Sequence, residues 1–134
     1  MKTLFICSGN VARSQIAQAY YNYLTNSNDA YSAGINQEVI RIYLRIPKDI
    51  IGLMKEESID MSNQMPKLVD RVMVDEAERI FIMCEKEQCP EYLRSSEKAT
   101  FWKIKDPHYL SIRKTRKIRN QIKEKVKSIA VVNE

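Results

Sequence analysis

The chain has 134 residues, of which 44% are hydrophobic and 29% charged, so it fits one compact domain at residues 1–134 and leaves little room for a second. Its net charge of +5 is compatible with nucleic-acid binding. However, eight of the basic residues fall between 113 and 127, where isoleucine and valine recur at helical spacing. This pattern is better explained by a helix that packs its apolar side inward and exposes its basic side to solvent. The three cysteines do not match an extracellular disulfide framework, and the N-terminal apolar stretch is too short for a signal segment or a membrane span, so we expect a cytoplasmic protein with reduced thiols and no membrane contact.

The predicted elements alternate between strands and helices along the chain. In order, they are a strand at Thr3–Cys7, a helix at Ser14–Asn26, a strand at Asp29–Ala33, a helix that opens at Pro47, a helix at Leu68–Ala77, a strand at Arg79–Cys84, a short helical segment near Pro90, a strand at Thr100–Ile104 and a C-terminal helix. Residues 35–46 give no clear pattern. The alternation predicts an α/β fold in which helices cover both faces of a parallel sheet.

Three reactive side chains follow predicted strands. Cys7 and Cys84 end the first and third strands, and Asp106 follows the fourth, directly before Pro107. In open parallel sheets, ligands bind at the carboxyl ends of the strands. The sequence therefore predicts a site that combines these residues.

The loop between the first strand and the first helix has the composition of an anion cradle. It starts at Cys7, ends at Arg13 and Ser14, and contains Ser8, Gly9, Asn10, Val11 and Ala12. Successive backbone amides after a strand can surround an anion, the helix N-terminus adds partial positive charge, and a guanidinium can bind two oxygens of a tetrahedral oxyanion. We expect this loop to bind phosphate or a similar oxyanion.

The same loop is suited to activating a nucleophile. Positive charge at a helix N-terminus stabilises a thiolate at Cys7, and the Ser14 hydroxyl can donate a hydrogen bond to the sulfur. Gly9 and Asn10 tolerate the left-handed torsions that a tightly wrapped loop needs. Taken singly, Cys7 could be a small buried residue and Arg13 a surface helix residue, but together they favour nucleophilic chemistry.

The segment FICSGNVARSQIAQA resembles the phosphate-binding loop of the low-molecular-weight protein tyrosine phosphatases and of their relatives, the thioredoxin-coupled arsenate reductases. The likeness extends over nearly the whole chain, through Tyr31–Gly34, Met54–Ser62 and Trp102–Pro107. It implies a three-layer α/β sandwich with a four-stranded parallel sheet and the phosphate-binding loop between the first strand and the first helix.

The resemblance also implies roles for individual residues. Cys7 would attack the substrate, Arg13 would bind it, and Asp106 would act as general acid and then as general base. Asn10, Ser14 and Ser32 would brace the loop, and no metal or organic cofactor would be needed. Outside this context, Asp106 before Pro107 would be interpreted as a turn residue.

Two cysteines after the third strand favour the reductase branch of the resemblance. Cys84 and Cys89 lie where the reductases carry a disulfide relay that thioredoxin regenerates, although their spacing is shorter than we expect. The alternative is that Cys84 packs at a strand end and Cys89 in a short helical segment. A zinc site is disfavoured, because one cysteine pair and a distant histidine do not supply four ligands.

Other features favour the phosphatase branch. Residues 35–46 are longer than the corresponding loop of the reductases and closer in length to the substrate loop of the phosphatases, and Tyr43, His108 and Tyr109 could form an aromatic rim around the site. Ala12 is a departure from this branch, because many phosphatases carry a second loop cysteine at that place and no protective disulfide with Cys7 can form here. The sequence therefore favours a phosphatase that hydrolyses phosphotyrosine in proteins, or small aryl phosphoesters, through a cysteinyl-phosphate intermediate. An arsenate reductase that uses Cys7, Cys84 and Cys89, and a non-catalytic phosphate binder, remain the alternatives.

Overall fold

The computed structural model describes residues 1–130 and contains one four-stranded sheet. Strands β1 (Thr3–Cys7), β2 (Ala30–Gly34), β3 (Arg79–Ile82) and β4 (Ala99–Phe101) lie side by side in the order β2-β1-β3-β4, and every pair is parallel. The helices are α1 (Arg13–Thr25), α2 (Gln37–Ile42), α3 (Lys48–Lys55), α4 (Arg71–Glu76), α5 (Glu91–Arg94) and α6 (Ile112–Ala130), and a 3₁₀ turn spans Lys86–Gln88.

The sheet separates two hydrophobic cores, as the alternation of side chains along a strand requires. On β1, Phe5 faces the larger core, which includes Tyr20 from α1 and Ile122 from α6. Leu4 and Ile6 face the smaller core, together with side chains from α4 and α5. The three-layer α/β sandwich with a four-stranded parallel sheet is therefore confirmed.

The main departure from the predicted elements lies before α4. The sequence predicts a helix from Leu68, but Leu68 forms a parallel bridge with Gly34, and Val69 donates its N–H to the Gly34 carbonyl at 2.8 Å. The helix begins only at Arg71, because the Asp70 carboxylate accepts the N–H of Met73 and caps it. Sheet pairing has overridden helical propensity here.

The C-terminal helix matches its prediction and is anchored to α3 by charge. Within α6, Ile118, Ile122 and Val126 are buried, whereas most of the lysines are exposed. Hydrogen bonds from Arg116 and Arg119 hold the pKa of Glu56, at the end of α3, down to about 2. Over residues 1–130, no helix is long and apolar enough to cross a membrane.

Candidate active site

The loop predicted from the sequence forms the floor of a cleft of about 280 Å³. Cys7 ends β1, and α1 begins at Arg13, so residues 8–12 wrap directly from the strand into the helix N-terminus. The walls come from α2, from the start of α3 and from residues 106–110. Cys7, Arg13 and Asp106 all line this cleft, at the carboxyl ends of the strands where the sequence predicts the site.

The Cys7 sulfur is buried and held by hydrogen bonds from its own loop. The Ser14 hydroxyl lies 2.9 Å from it, and the backbone N–H of Asn10 donates to it at 3.3 Å. Asn10 has a φ of 55°, the left-handed conformation expected for this position. The sulfur therefore lies in the floor of the cleft, beside the N-terminus of α1.

A buried glutamine that the sequence analysis missed extends this network. Gln15, fully buried in the first turn of α1, donates to the Asn10 side-chain oxygen at 2.8 Å and to the Met65 carbonyl at 2.9 Å. Gln64 donates in turn to the side-chain oxygen of Gln15. No motif marks Gln15, because its importance arises from residues 49 and 50 positions away that the fold brings to it.

In each hydrogen bond that links Gln15 through Asn10 and Ser14 to Cys7, the donor is the residue farther from the sulfur along this network. The Asn10 oxygen accepts from Gln15 and from the backbone of Lys67, so the Asn10 NH₂ group must face Ser14, to which it donates at 2.7 Å. The Ser14 oxygen is thus already an acceptor, and its one hydrogen is left for Cys7. The fold therefore orients Ser14 as a donor to the nucleophile.

Arg13 is buried and fixed by main-chain acceptors. Its Nη1 group donates to the carbonyls of Met83 and Ile104, the latter at 3.1 Å. Nη2 lies 3.7 Å from a carboxylate oxygen of Asp106. With Nη1 engaged, Nε and Nη2 are the guanidinium groups left to bind an oxyanion in the cleft.

Asp106 lies at the mouth of the cleft with more than half of its side chain exposed. Its Oδ1 accepts the backbone N–H of His108 at 3.0 Å, which forms the turn expected of an aspartate before Pro107. The turn is therefore compatible with a position of Asp106 in the cleft. The carboxyl group faces both the guanidinium and the cleft, where it can donate or accept a proton near a bound substrate.

The predicted aromatic rim is assembled at the same mouth. The Tyr43 hydroxyl lies 3.4 Å from Nδ1 of His108, and their rings meet edge-on with centroids 6.0 Å apart. The His108 ring lies 3.8 Å from that of Tyr109, which is almost wholly exposed. Behind the rim, Val39 of α2 lies so close to Gly9 that a Cβ there would come within 2.4 Å of it. Gly9 is thus required for close packing.

The third strand brings the other two cysteines to the edge of the site. Ile6 pairs with Ile82, so Cys84 follows β3 beside the end of β1, where Cys7 lies. The sulfurs of Cys84 and Cys89 are 4.0 Å apart. Burial is the largest cause that raises the pKa of Cys84, and the neighbouring Cys89 and Cys7 raise it further. All three cysteines are unpaired thiols.

Ser32 supports the loop less directly than the resemblance implies. Its hydroxyl donates to the side-chain oxygen of Gln18 in α1 at 2.5 Å, so the contact braces the helix and not the loop itself. Among residues 1–130, no three side chains of the histidine, cysteine, aspartate or glutamate type are grouped so as to hold a metal ion.

Comparison with known proteins connects the whole chain to two groups of enzymes. Residues 2–133 match the family model of the low molecular weight phosphotyrosine protein phosphatases. Arsenate reductase 2 of Staphylococcus saprophyticus is 31% identical over 126 residues, which cover 92% of this chain and 91% of that protein.

Solved structures give the same division. An arsenate reductase from Archaeoglobus fulgidus is 29% identical, superposes with a TM-score of 0.80, and is matched over 96% of this chain and 98% of its own. Vibrio vulnificus Wzb, solved in complex with benzylphosphonate, has a TM-score of 0.83, with 96% of this chain and 95% of that one covered. At 20% identity, the second likeness speaks for the fold alone.

Proposed function

This chain belongs to the low molecular weight phosphotyrosine protein phosphatase family, and from that premise we propose that it is an arsenate reductase in which Cys7, Cys84 and Cys89 act in turn. The 4.0 Å approach of the Cys84 and Cys89 sulfurs, beside the strand that ends in Cys7, is the observation that carries this proposal. Relatives named arsenate reductase, at 27–31% identity, support it.

The first step takes place in the phosphate-binding loop. The Cys7 thiolate attacks arsenic, an As–S bond forms, and an oxygen of arsenate leaves as water after Asp106 supplies a proton. Arsenic remains pentavalent at this point. The loop amides and Arg13 stabilise the charge on the remaining oxygens.

The second step transfers two electrons from the protein to arsenic, and the third moves the resulting disulfide within the protein. The Cys84 sulfur attacks the Cys7 sulfur, an S–S bond forms, and the As–S electron pair stays on arsenic, which leaves as arsenite. Cys89 then attacks Cys84, which restores the Cys7 thiolate and leaves a Cys84–Cys89 disulfide. An external dithiol of the thioredoxin class returns this disulfide to thiols, as expected for an enzyme of the cytoplasm.

Hydrolysis of aryl phosphoesters is the second candidate, and the aromatic rim of Tyr43, His108 and Tyr109 favours it. In that reaction Cys7 would form a cysteinyl-phosphate that water cleaves, with no part for Cys84 or Cys89. We place reduction ahead of hydrolysis, because the cysteine pair has no role in the hydrolytic route. This reverses the order predicted from the sequence, where residues 35–46 and the aromatic rim favour hydrolysis.

The two candidates are separated by assaying arsenate reduction with thioredoxin beside hydrolysis of a phosphotyrosine peptide. We expect the parent to reduce arsenate through many cycles and Cys89→Ser to stop after one. The Cys84→Ser, Cys89→Ser double variant is the control, because phosphoester hydrolysis, where present, needs only Cys7 and should stay within a few-fold of the parent. A parent that hydrolyses the peptide and does not turn over arsenate would make the protein a phosphatase.

A further inference from the structure

The reduced Cys84 and Cys89 thiols are close enough to bind one ligand atom together, a property that the relay does not use. Before any turnover the two residues are free thiols whose sulfurs lie 4.0 Å apart. Cys89 is 4% exposed, whereas Cys84 is only half-buried and gives access to the pair from solvent. Two adjacent thiols of this kind form a chelating site.

The local fold holds the two sulfurs together. The 3₁₀ turn at Lys86–Gln88 lies between the cysteines. It is held by the Glu85 N–H, which donates to the Gln88 side chain at 3.3 Å, and by the Gln88 N–H, which donates to the Glu85 carbonyl at 3.0 Å. The Cys89 thiol also points back to the Glu85 carbonyl, with 3.7 Å between sulfur and oxygen. The pair is therefore organised before a ligand arrives, which lowers the entropic cost of chelation.

The surroundings favour an uncharged ligand. Burial raises the pKa of both Cys84 and Cys89, so the pair is a neutral dithiol, and Cys89 packs among apolar side chains such as Leu93. A divalent cation would need both thiols ionised in this apolar setting, together with further ligands, and residues 1–130 supply no third side chain for such a cluster. A neutral species that condenses with thiols needs neither ionised sulfurs nor a third protein ligand.

We propose that the reduced Cys84–Cys89 pair binds trivalent arsenic, taken up as uncharged arsenous acid, through both sulfurs. Two As–S bonds form, and two As–O bonds break. The two thiol protons leave with the displaced oxygens as two molecules of water. One hydroxyl stays on arsenic. No electrons are transferred, so no oxidant or reductant is required, and the complex carries no net charge.

The biological meaning of this site rests on the proposed function, because arsenous acid is then the product of the enzyme. Product bound to Cys84 and Cys89 occupies the thiols that the next cycle needs. The site thus makes the reductase sensitive to its own product, while hydrolysis at Cys7 would be untouched. Oxidation of the pair to a disulfide abolishes the site.

The test uses the reduced full-length protein, sodium arsenite as the probe, and no arsenate. We expect native mass spectrometry to show one arsenic per chain, and arsenic X-ray absorption to show two sulfur ligands and one oxygen. Cys7→Ser should bind as the parent does. Cys84→Ser and Cys89→Ser should each bind at least about 100-fold more weakly, the scale of losing one of two linked contacts.

Folding of Cys84→Ser and Cys89→Ser is checked by whether phosphate protects Cys7 against alkylation, a readout independent of the pair. In variants that pass this check, unchanged arsenite binding would overturn the proposal, as would three sulfur ligands in the parent or loss of binding in Cys7→Ser. Because turnover is not measured, a protein that binds arsenite at the pair but does not reduce arsenate would refute the proposed function and leave this site standing.

Discussion

Gln15 donates its side-chain amide to the oxygen of Asn10 at 2.8 Å and, together with the backbone N–H of Lys67 at 3.0 Å, turns the Asn10 NH₂ group toward Ser14. Replacing Gln15 by methionine keeps most of the buried volume but removes the donor. We expect Cys7 to be alkylated up to about tenfold more slowly at neutral pH, because Asn10 keeps only one of its two orienting donors and holds Ser14 less firmly against the sulfur.

The measurement for Gln15→Met is the rate of iodoacetamide alkylation against pH, in a Cys84→Ser, Cys89→Ser background so that only Cys7 reports. Gln121→Met is the matched control, since Gln121 is exposed on α6 and contacts only the Lys103 carbonyl. An identical profile in Gln15→Met and the parent would mean that the network does not act on the nucleophile.

Cys7→Ser should abolish turnover on either substrate class and leave oxyanion binding largely intact. A hydroxyl is a poor nucleophile, whereas the loop amides and Arg13 remain in place. Calorimetric titration with phosphate or arsenate, beside the activity assay, checks both halves of the prediction. Residual turnover near that of the parent would remove Cys7 from the mechanism.

Arg13→Lys should reduce kcat/KM severely, because an ammonium group cannot both satisfy the carbonyls of Met83 and Ile104 and bind two oxygens of the substrate. Thermal unfolding must be measured alongside, since the same change removes buried hydrogen bonds. Near-normal kcat/KM would show that Arg13 is only a structural residue.

Asp106→Asn should lower turnover by roughly 10²–10⁴-fold where the leaving group needs a proton, the range typical of losing a general acid. Activated aryl phosphates, whose leaving groups need little protonation, should be spared more. The comparison requires kcat on a nitrophenyl ester and on an alkyl phosphate. Equal losses on both would contradict the acid role.

Tyr43→Ala should discriminate between substrates by size. We expect KM for a phosphotyrosine peptide to rise by about fivefold, since an aromatic contact of roughly 1 kcal/mol is lost, while KM for arsenate changes little. Tyr23→Ala, at an exposed tyrosine of α1, is the control. If both KM values rise equally, Tyr43 supports the fold of the loop and does not select substrates.

The Glu56 carboxylate should make stability depend on pH in the acid range. Its pKa falls from 4.5 to about 2 on folding, so the contribution is complete above the unfolded value and is lost as pH falls from about 5 toward 2. Urea unfolding midpoints of Glu56→Gln should therefore fall less over this interval than those of the parent. Glu38→Gln, at an exposed pair within α2, should follow the parent.

The parts of the site predicted from the sequence are those encoded by neighbouring residues. Cys7, Arg13 and Ser14 lie within eight positions, and a strand followed by a helix N-terminus brings them together without help from the rest of the chain. Asp106 needed the resemblance, because an aspartate before a proline is by itself a turn signal.

The parts that were missed depend on long-range contacts. Leu68 has the propensity for a helix but pairs with Gly34, and Gln15 is a polar residue whose partners lie far along the chain. The spacing of Cys84 and Cys89 gave no distance between their sulfurs, since that distance is set by a 3₁₀ turn. Residues 35–46 contain only the six-residue helix α2, too short for a periodic pattern.

The pairing of Ile6 with Ile82 has a further consequence for how this scaffold can change its chemistry. Because β3 ends beside β1, the segment that follows Ile82 starts next to Cys7, and a side chain there can be exchanged without rebuilding the anion-binding loop. Under the proposed relay, redox capacity would be gained or lost by exchanging side chains in this short segment after a strand. Oxyanion capture by the loop and electron supply by the Cys84–Cys89 pair would then be separable, each open to mutation while the other stays intact.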